Sequence, residues 1–267
     1  MTLFPLRLPG IVAISLVAAG CSTLPSRQVP LSSDALSKLK RVAVVSVLAR
    51  SFTQQYVGMT AFGNETEEIN IASWKIDEQY EKQFSQELQQ RYRLNVVHAA
   101  YAASAFEPAN EILSSWSSSG NPGPNWAAAE PAVRKYCKAS ALDALLLVAK
   151  DKSTDFLGRT NQEMTGAGIY TRGTPFLKIA AMHVIAKVAL IDCATAKPLA
   201  VRSLAVSEDG TKNARPDSRP VLQIDYEEAR IPISDWTFKR KQKVRADLST
   251  LPNKAITETL RTIFVPA

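Results

Sequence analysis

The chain has 267 residues, of which 46% are hydrophobic and 21% are charged, and its formal net charge is +7. These proportions are those of an ordinary globular protein and exclude a disordered or multiply membrane-spanning chain. The chain has only two histidines and three cysteines, and no CxxC pair. We therefore predict neither a metal site nor a bound cofactor.

The amino terminus has the proportions of a secretory signal peptide. Residues 1–19 carry one cation, Arg7, no acidic residue, and an apolar run of about ten residues that ends at Ala19. That run is too short for a transmembrane helix, which needs roughly 20 apolar residues. The pattern predicts a signal peptide over residues 1–20, and no later segment is long and apolar enough to be a transmembrane helix.

Small residues stand directly before a cysteine in the run Val17-Ala18-Ala19-Gly20-Cys21. This run resembles the lipobox of bacterial lipoproteins, which implies signal cleavage between Gly20 and Cys21 and acylation of Cys21, with palmitate among the acyl groups. Several acyl chains together anchor a protein almost permanently. Ser22 stands where an aspartate would resemble an inner-membrane retention signal, so the resemblance implies an outer-membrane anchor facing the periplasm. An uncleaved apolar terminus and a plain secretory signal are the alternatives.

Residues 21–40 are rich in serine, proline and polar residues and show no hydrophobic period. This composition predicts a lipidated tether whose residues 22–40, fully extended, reach about 60 Å. Residues 41–267 are then predicted to form one periplasmic α/β domain.

Apolar strands and helical patterns alternate along this domain. Strands are predicted at 41–49, 94–99 and 144–149, an antiparallel hairpin at 178–191 and 199–206, and helices at 74–92, 107–116, 127–140 and near the carboxyl terminus, where Pro252 divides two of them. The polar segments 50–72 and 151–174 are predicted to be long loops. Helices between apolar strands indicate parallel neighbours, so we predict an α/β (α+β) fold with a single mixed sheet of about five strands.

Two short motifs carry a family resemblance. The step Ala141-Leu142-Asp143-Ala144 leads from a helix into a strand, and Asp192, Thr195 and Lys197 lie in the hairpin. Both resemble motifs of periplasmic lipoproteins built like the curli secretion-pore subunit, a group with the activator lipoproteins of penicillin-binding proteins and the amino-terminal domain of TolB. Ala196 stands where that group commonly has glycine. The resemblance covers roughly residues 41–206 and implies this fold and a binding or assembly role.

Cys137 and Cys193 remain once Cys21 is assigned to lipid. An oxidising periplasm permits them to form a disulfide. The alternative is that each packs separately in the core as a small apolar residue.

The sequence contains no G-x-S-x-G, H-E-x-x-H, P-loop or dinucleotide-binding motif. We therefore predict that the protein is not an enzyme. A periplasmic hydrolase with Cys137 as nucleophile and His98 or His183 as base is the remaining catalytic alternative. Glu78 and Glu81 are predicted to be solvated surface residues.

Two groups of residues are candidate contacts with other molecules. Trp116 and Trp126 flank a Gly/Pro-rich segment, where they either anchor a protein partner or pack back on the domain. The densest positive cluster either contacts anionic phospholipid or peptidoglycan or forms the solvated face of a helix; it consists of Lys239, Arg240, Lys241, Lys243 and Arg245.

Together these features predict an outer-membrane-anchored lipoprotein that acts as a non-catalytic binding or assembly module of the cell envelope. Its predicted partner is an unidentified envelope protein, a homo-oligomer is left open, and the compartment excludes nucleic acid. An oligomeric secretion-pore subunit is the alternative function. It would require segments 50–72 and 151–174 to become amphipathic membrane hairpins.

Overall fold

The computed structural model describes residues 30–114, 126–206 and 218–264. The strands are β1 (Arg41–Ser46), β2 (Ser51–Val57), β3 (Glu65–Asn70), β4 (Asn95–Val96), β5 (Ala144–Lys150), β6 (Lys152–Thr154), β7 (Glu163–Thr174), β8 (Leu177–Asp192), β9 (Lys197–Ser203) and β10 (Val221–Gln223). The helices are α1 (Ser33–Ser37), α2 (Ile76–Tyr92), α3 (Ala103–Phe106), α4 (Pro108–Ser114), α5 (Glu130–Ser140), α6 (Tyr226–Arg230), α7 (Phe238–Thr250) and α8 (Asn253–Ile263).

The strands form one mixed sheet, as predicted, but with ten strands rather than five. The main path is β3-β2-β7-β8-β5-β1-β4, and β6, β9 and β10 pair with β7 or β8 beside it. Pairing is parallel between β1 and β5, β1 and β4, and β2 and β7. The remaining pairs are antiparallel, and they include the predicted β8–β9 hairpin.

Four of the five additional strands lie in the two segments predicted to be long loops, and that prediction is wrong; the fifth is β10. Segment 50–72 contains the hairpin β2–β3, and segment 151–174 contains β6 and β7. β2 and β3 tolerate polar side chains because β3 lies at the sheet edge and much of β2 is only half-buried, whereas β7 is mostly buried and is interrupted by glycines and threonines. Gly168 in β7 reflects close packing, since a Cβ there would lie 2.3 Å from the Thr53 carbonyl oxygen.

Strand β8 joins the two parts of the sheet. Its 16 residues span about 50 Å. The carboxyl-terminal part of β8 pairs with β5 and β9, and the amino-terminal part pairs with β7 and β10. His183 and Lys187 are the polar residues of this strand that are buried.

Helices cover both faces of the sheet and create two cores. On one face α2, α7 and α8 pack against the sheet, and the buried stripe of α2 has the predicted four-residue spacing at Ile76, Tyr80, Phe84 and Leu88. On the other face α3, α4 and α5 cover β1 and β5. The predicted division of the carboxyl-terminal helices at Pro252 is also observed, between α7 and α8.

The ordered domain begins earlier than the sequence predicts. The Leu31 N–H donates to the Ile263 carbonyl at 2.9 Å, and Ser32 caps α1 through the Ala35 N–H. Residues 31–40 are therefore attached to the domain rather than part of a free tether. Ten residue steps separate Cys21 from Leu31, and these can span at most about 35 Å.

The two motifs behind the family resemblance have structural roles here. The Asp143 carboxylate accepts the backbone N–H groups of Lys40 at 2.9 Å and Arg41 at 2.8 Å, which fixes the start of β1. Ala141 and Ala196 both adopt left-handed backbone conformations, with φ of 49° and 55°. The hairpin turn thus keeps the positive φ that glycine would favour.

Candidate functional site

A cleft of about 480 Å³ opens at the carboxyl end of β1, between the start of α2 and the segment after β4. In open α/β sheets ligands bind outside the carboxyl ends of the strands, so this cleft lies where the topology favours a site. Its polar lining includes Ser46 on β1, Asp77 and Glu81 on α2, and His98 and Tyr101 after β4.

Asp77 lies in the first turn of α2 and connects that helix to β1. Its Oδ1 accepts the Ser46 hydroxyl at 2.5 Å and the Ala49 N–H at 3.0 Å. Burial raises the pKa of Asp77 in spite of these hydrogen bonds, which favour the charged carboxylate. The carboxyl group is therefore easier to protonate than an exposed aspartate.

Glu81 lies one helical turn further along α2, on the same face as Asp77. Its Oε1 accepts the Ser46 N–H at 2.8 Å and also the Tyr101 hydroxyl. Burial raises the pKa of Glu81, and the nearby Asp77 carboxylate adds to the effect. Burial and the Glu81 carboxylate together raise the pKa of Tyr101, which stays a hydrogen-bond donor.

Two carboxyl groups with raised pKa values in one cleft are a recognised signature of a functional site. Each is also hydrogen-bonded to neighbouring groups, so both carboxyl groups are held in place in the wall of the cleft. Glu81 was predicted to be a solvated surface residue, and that prediction is wrong because Glu81 is half-buried. The sequence did contain a signal for the burial of these carboxyl groups, because Asp77 and Glu81 lie beside the buried stripe residues Tyr80 and Phe84 on α2.

The residues proposed for hydrolase chemistry do not come together. Cys137 and Cys193 form a disulfide with their Cα atoms 5.5 Å apart, so Cys137 is not a free nucleophile. His183 is fully buried with its Nδ1 3.2 Å from the Gly166 carbonyl oxygen, and burial lowers its pKa to about 4. Among the described residues no group of three or more His, Cys, Asp or Glu side chains could hold a metal ion.

The candidate partner contacts divide into buried and exposed residues. Of the two alternatives for Trp126, packing back on the domain is the one observed, because Trp126 is buried and its Nε1 donates to the Ala196 carbonyl oxygen at 2.8 Å. Trp116, Gly20 and Cys21 lie outside the described residues.

The basic cluster lies on α7, whose Val244 and Leu248 face the core. Lys239, Lys241, Lys243 and Arg245 are exposed. Arg240 instead lies with its guanidinium 4.8 Å from the centre of the Trp236 ring and donates to the Glu228 carbonyl oxygen. The cluster forms the solvated face of a helix, and its contact with an anionic surface stays a prediction.

Comparisons with known proteins give little further information. No family model matches the chain, and no curated protein matches it. The crystal structure of lipoprotein GNA1162 from Neisseria meningitidis is 11% identical, with 80% of this chain and 98% of that chain covered and a TM-score of 0.30. A likeness of this strength supports no inference about fold or function.

The helices of the described domain were compared with the requirements of a transmembrane segment. Within residues 30–114, 126–206 and 218–264, no helix combines the length and apolar character that crossing a bilayer requires.

Proposed function

We propose that this protein is a lipid-anchored binding or assembly module of the bacterial cell envelope and that it acts without catalysis. Lipid on Cys21 holds it to the outer membrane, and the domain faces the periplasm. The cleft at Asp77 and Glu81 is its ligand-binding surface. A partner group with hydrogen-bond donors and acceptors fits this polar lining.

The observation that carries the proposal is the Cys137–Cys193 disulfide. Stable disulfides belong to oxidising compartments such as the periplasm, so this bond supports the export that the amino-terminal sequence predicts. The bond also removes the one thiol for which the sequence suggested a catalytic role. It therefore supports both the location and the absence of catalysis.

The hydrogen bonding of the cleft supports binding rather than catalysis. A general base needs an acceptor atom within reach of the substrate proton. Here one oxygen of each carboxylate is already engaged, because Asp77 Oδ1 accepts the Ser46 hydroxyl and Glu81 Oε1 accepts the Tyr101 hydroxyl. These bonds hold the cleft in one shape and leave its outer rim, at His98 and Ala100, exposed to a partner.

Site-specific photo-crosslinking in living cells tests this proposal. A photoreactive residue at Ala100, on the cleft rim, is expected to capture one envelope component. The same residue at Leu199, on the exposed edge strand β9, is the matched control and should capture none. Equal products from both positions, or turnover of the captured component by purified protein, would contradict the proposal.

The secretion-pore alternative places a specific demand on this fold. Its membrane hairpins would have to be built from β2, β3, β6 and β7. All four strands are paired within the sheet, and β2 contributes Phe52 to the core. We therefore favour the binding module over the pore.

A further inference from the structure

Two hairpin turns project large apolar side chains at one end of the sheet. The turn between β2 and β3 carries Met59 and Phe62, which are 72% and 102% exposed, and the turn between β7 and β8 carries Phe176 and Leu177, which are 98% and 42% exposed. We call these four residues the apolar tip. They include two phenylalanines that are almost fully exposed, which is a costly arrangement for a free surface.

The sheet register places the two turns side by side. β2 and β7 run parallel, with Val57 opposite Arg172 at the point where β2 ends. The first turn starts directly after Val57, and the second starts after Thr174, which pairs with Leu177. Both turns therefore leave the sheet from neighbouring strands in the same direction.

Hydrogen bonds within each turn fix its shape. The Asn64 side-chain oxygen accepts the Gly58 N–H at 3.1 Å, and the Thr60 carbonyl accepts the Gly63 N–H at 3.0 Å. In the second turn the Thr174 hydroxyl accepts the Leu177 N–H at 2.9 Å. Ordered turns hold the phenylalanines outward, so binding through them sacrifices little conformational entropy.

Aromatic rings and cations lie directly behind the apolar tip. The Arg230 guanidinium lies 3.6 Å from the centre of the Tyr56 ring, and the Lys178 ammonium lies 4.9 Å from the centre of the Tyr226 ring. The Lys178 ammonium is also 2.6 Å from the Glu227 carboxylate. Apolar side chains in front of tyrosines and long cationic side chains match the layers of a membrane interface.

The size of the apolar tip indicates which occupant it fits. A stable protein interface needs about 800 Å² on each partner, contributed by roughly 20–30 residues. Four side chains on two narrow turns do not provide such a surface. Insertion into the headgroup and acyl boundary of a bilayer requires only that apolar groups project, because the lipids adapt to their shape.

We propose that the apolar tip is a membrane contact and that it inserts into the surface of a phospholipid bilayer. It lies about 50 Å along β8 from Asp192, near whose end of the sheet Leu31 joins the domain. The tip and the point where Leu31 joins the domain are thus at opposite ends of the sheet, since Thr262, next to the Leu31 partner Ile263, accepts from Arg202, which pairs with Val188. If lipid on Cys21 and the tip both engage the bilayer, the sheet cannot stand upright on it, because the ten residue steps from Cys21 to Leu31 span at most about 35 Å.

The test uses residues 22–267, which contain every described core contact and lack the anchor, so it does not depend on the proposed lipidation. Cosedimentation with vesicles of phosphatidylethanolamine and phosphatidylglycerol is expected to show binding. That binding should persist in about 1 M salt, where the Debye length is about 3 Å, because apolar insertion is not screened. Replacing Phe62 and Phe176 with serine should weaken it about a hundredfold, or about tenfold for each ring.

Two single variants serve as controls. Leu199→Ser removes an exposed apolar residue from β9, and Phe238→Ser removes an exposed ring beside the basic cluster of α7. Both should bind vesicles like the parent chain. Loss of binding in Phe238→Ser, or release of the parent chain by salt, would assign the contact to α7 and overturn the proposal. Self-association that the double variant abolishes, without vesicle binding, would also overturn it.

Discussion

At the scale of single residues, the hydropathy pattern of the sequence fails most clearly to predict that polar side chains of β8 are buried. Lys187 and Arg219 both contact the buried Asp151 carboxylate, at 3.3 and 3.1 Å. Two cations on one carboxylate offset the cost of taking these charges out of water. The alternation of residues along β8 indicated an exposed face, and it could not reveal partners that lie far away in sequence.

His183 is buried on the same strand, with its Nδ1 3.2 Å from the Gly166 carbonyl oxygen. Burial lowers its pKa from 6.5 to about 4, and the hydrogen bond to Gly166 only partly opposes the effect. Between these two pH values the unfolded chain binds a proton at this position and the folded chain does not. Stability must therefore fall as the pH is lowered through this range.

We predict that His183→Gln reduces the loss of stability between pH 6.5 and pH 4 by about 3 kcal/mol, because the glutamine cannot take up a proton. Urea unfolding at both pH values measures the change. His98→Gln, at an exposed position, is the matched control. The carboxyl groups titrate in all three proteins and cancel in the comparison. Equal pH dependence in His183→Gln and the parent chain would show that His183 is not buried in its neutral form.

At the scale of elements, the sequence predicted the strands that are covered on both faces and the helices whose apolar residues recur at a regular helical spacing. β1 and β5 are nearly continuous apolar runs, β8 is a long and mainly apolar strand, and α2 has a four-residue stripe. β2, β3 and β7 were missed because their side chains are largely polar, and the sheet forms through backbone pairing with distant strands. The cleft was missed for a related reason, since only the tertiary fold brings the end of β1 to α2.

The junction between α5 and β5 contains a conformational compromise that mutagenesis can test. Ala141 is exposed and has φ of 49°, a conformation that a side chain disfavours. We predict that Ala141→Gly stabilises the protein by about 1 kcal/mol in chemical unfolding. Ala139→Gly, two residues earlier and exposed within α5, should destabilise it by about 1 kcal/mol. The same sign for both substitutions would contradict the observed end of α5.

At the scale of the whole molecule, the amino-terminal sequence and the fold contribute different parts of the account. The sequence Val17–Cys21 predicts an anchor, and in the fold Leu31 is already hydrogen-bonded to Ile263 of α8, which leaves ten residue steps between Cys21 and the domain. The Cys137–Cys193 disulfide links the end of α5 to the β8–β9 turn, across a loop of 56 residues. Closing a loop of that length stabilises a domain by about 4 kcal/mol in the chain-entropy model, and the bond fits an exported protein.

The location of the protein rests on Cys21, and lipidation of that residue is the most direct test of the account. Cells that express the full chain are grown with an alkyne-tagged fatty acid, and the purified protein is examined for the tag. The account predicts a tagged parent protein and an untagged Cys21→Ser variant whose disulfide and fold are unchanged, because Cys21 precedes the ordered domain. An untagged parent protein, or a tag that persists in Cys21→Ser, would contradict it.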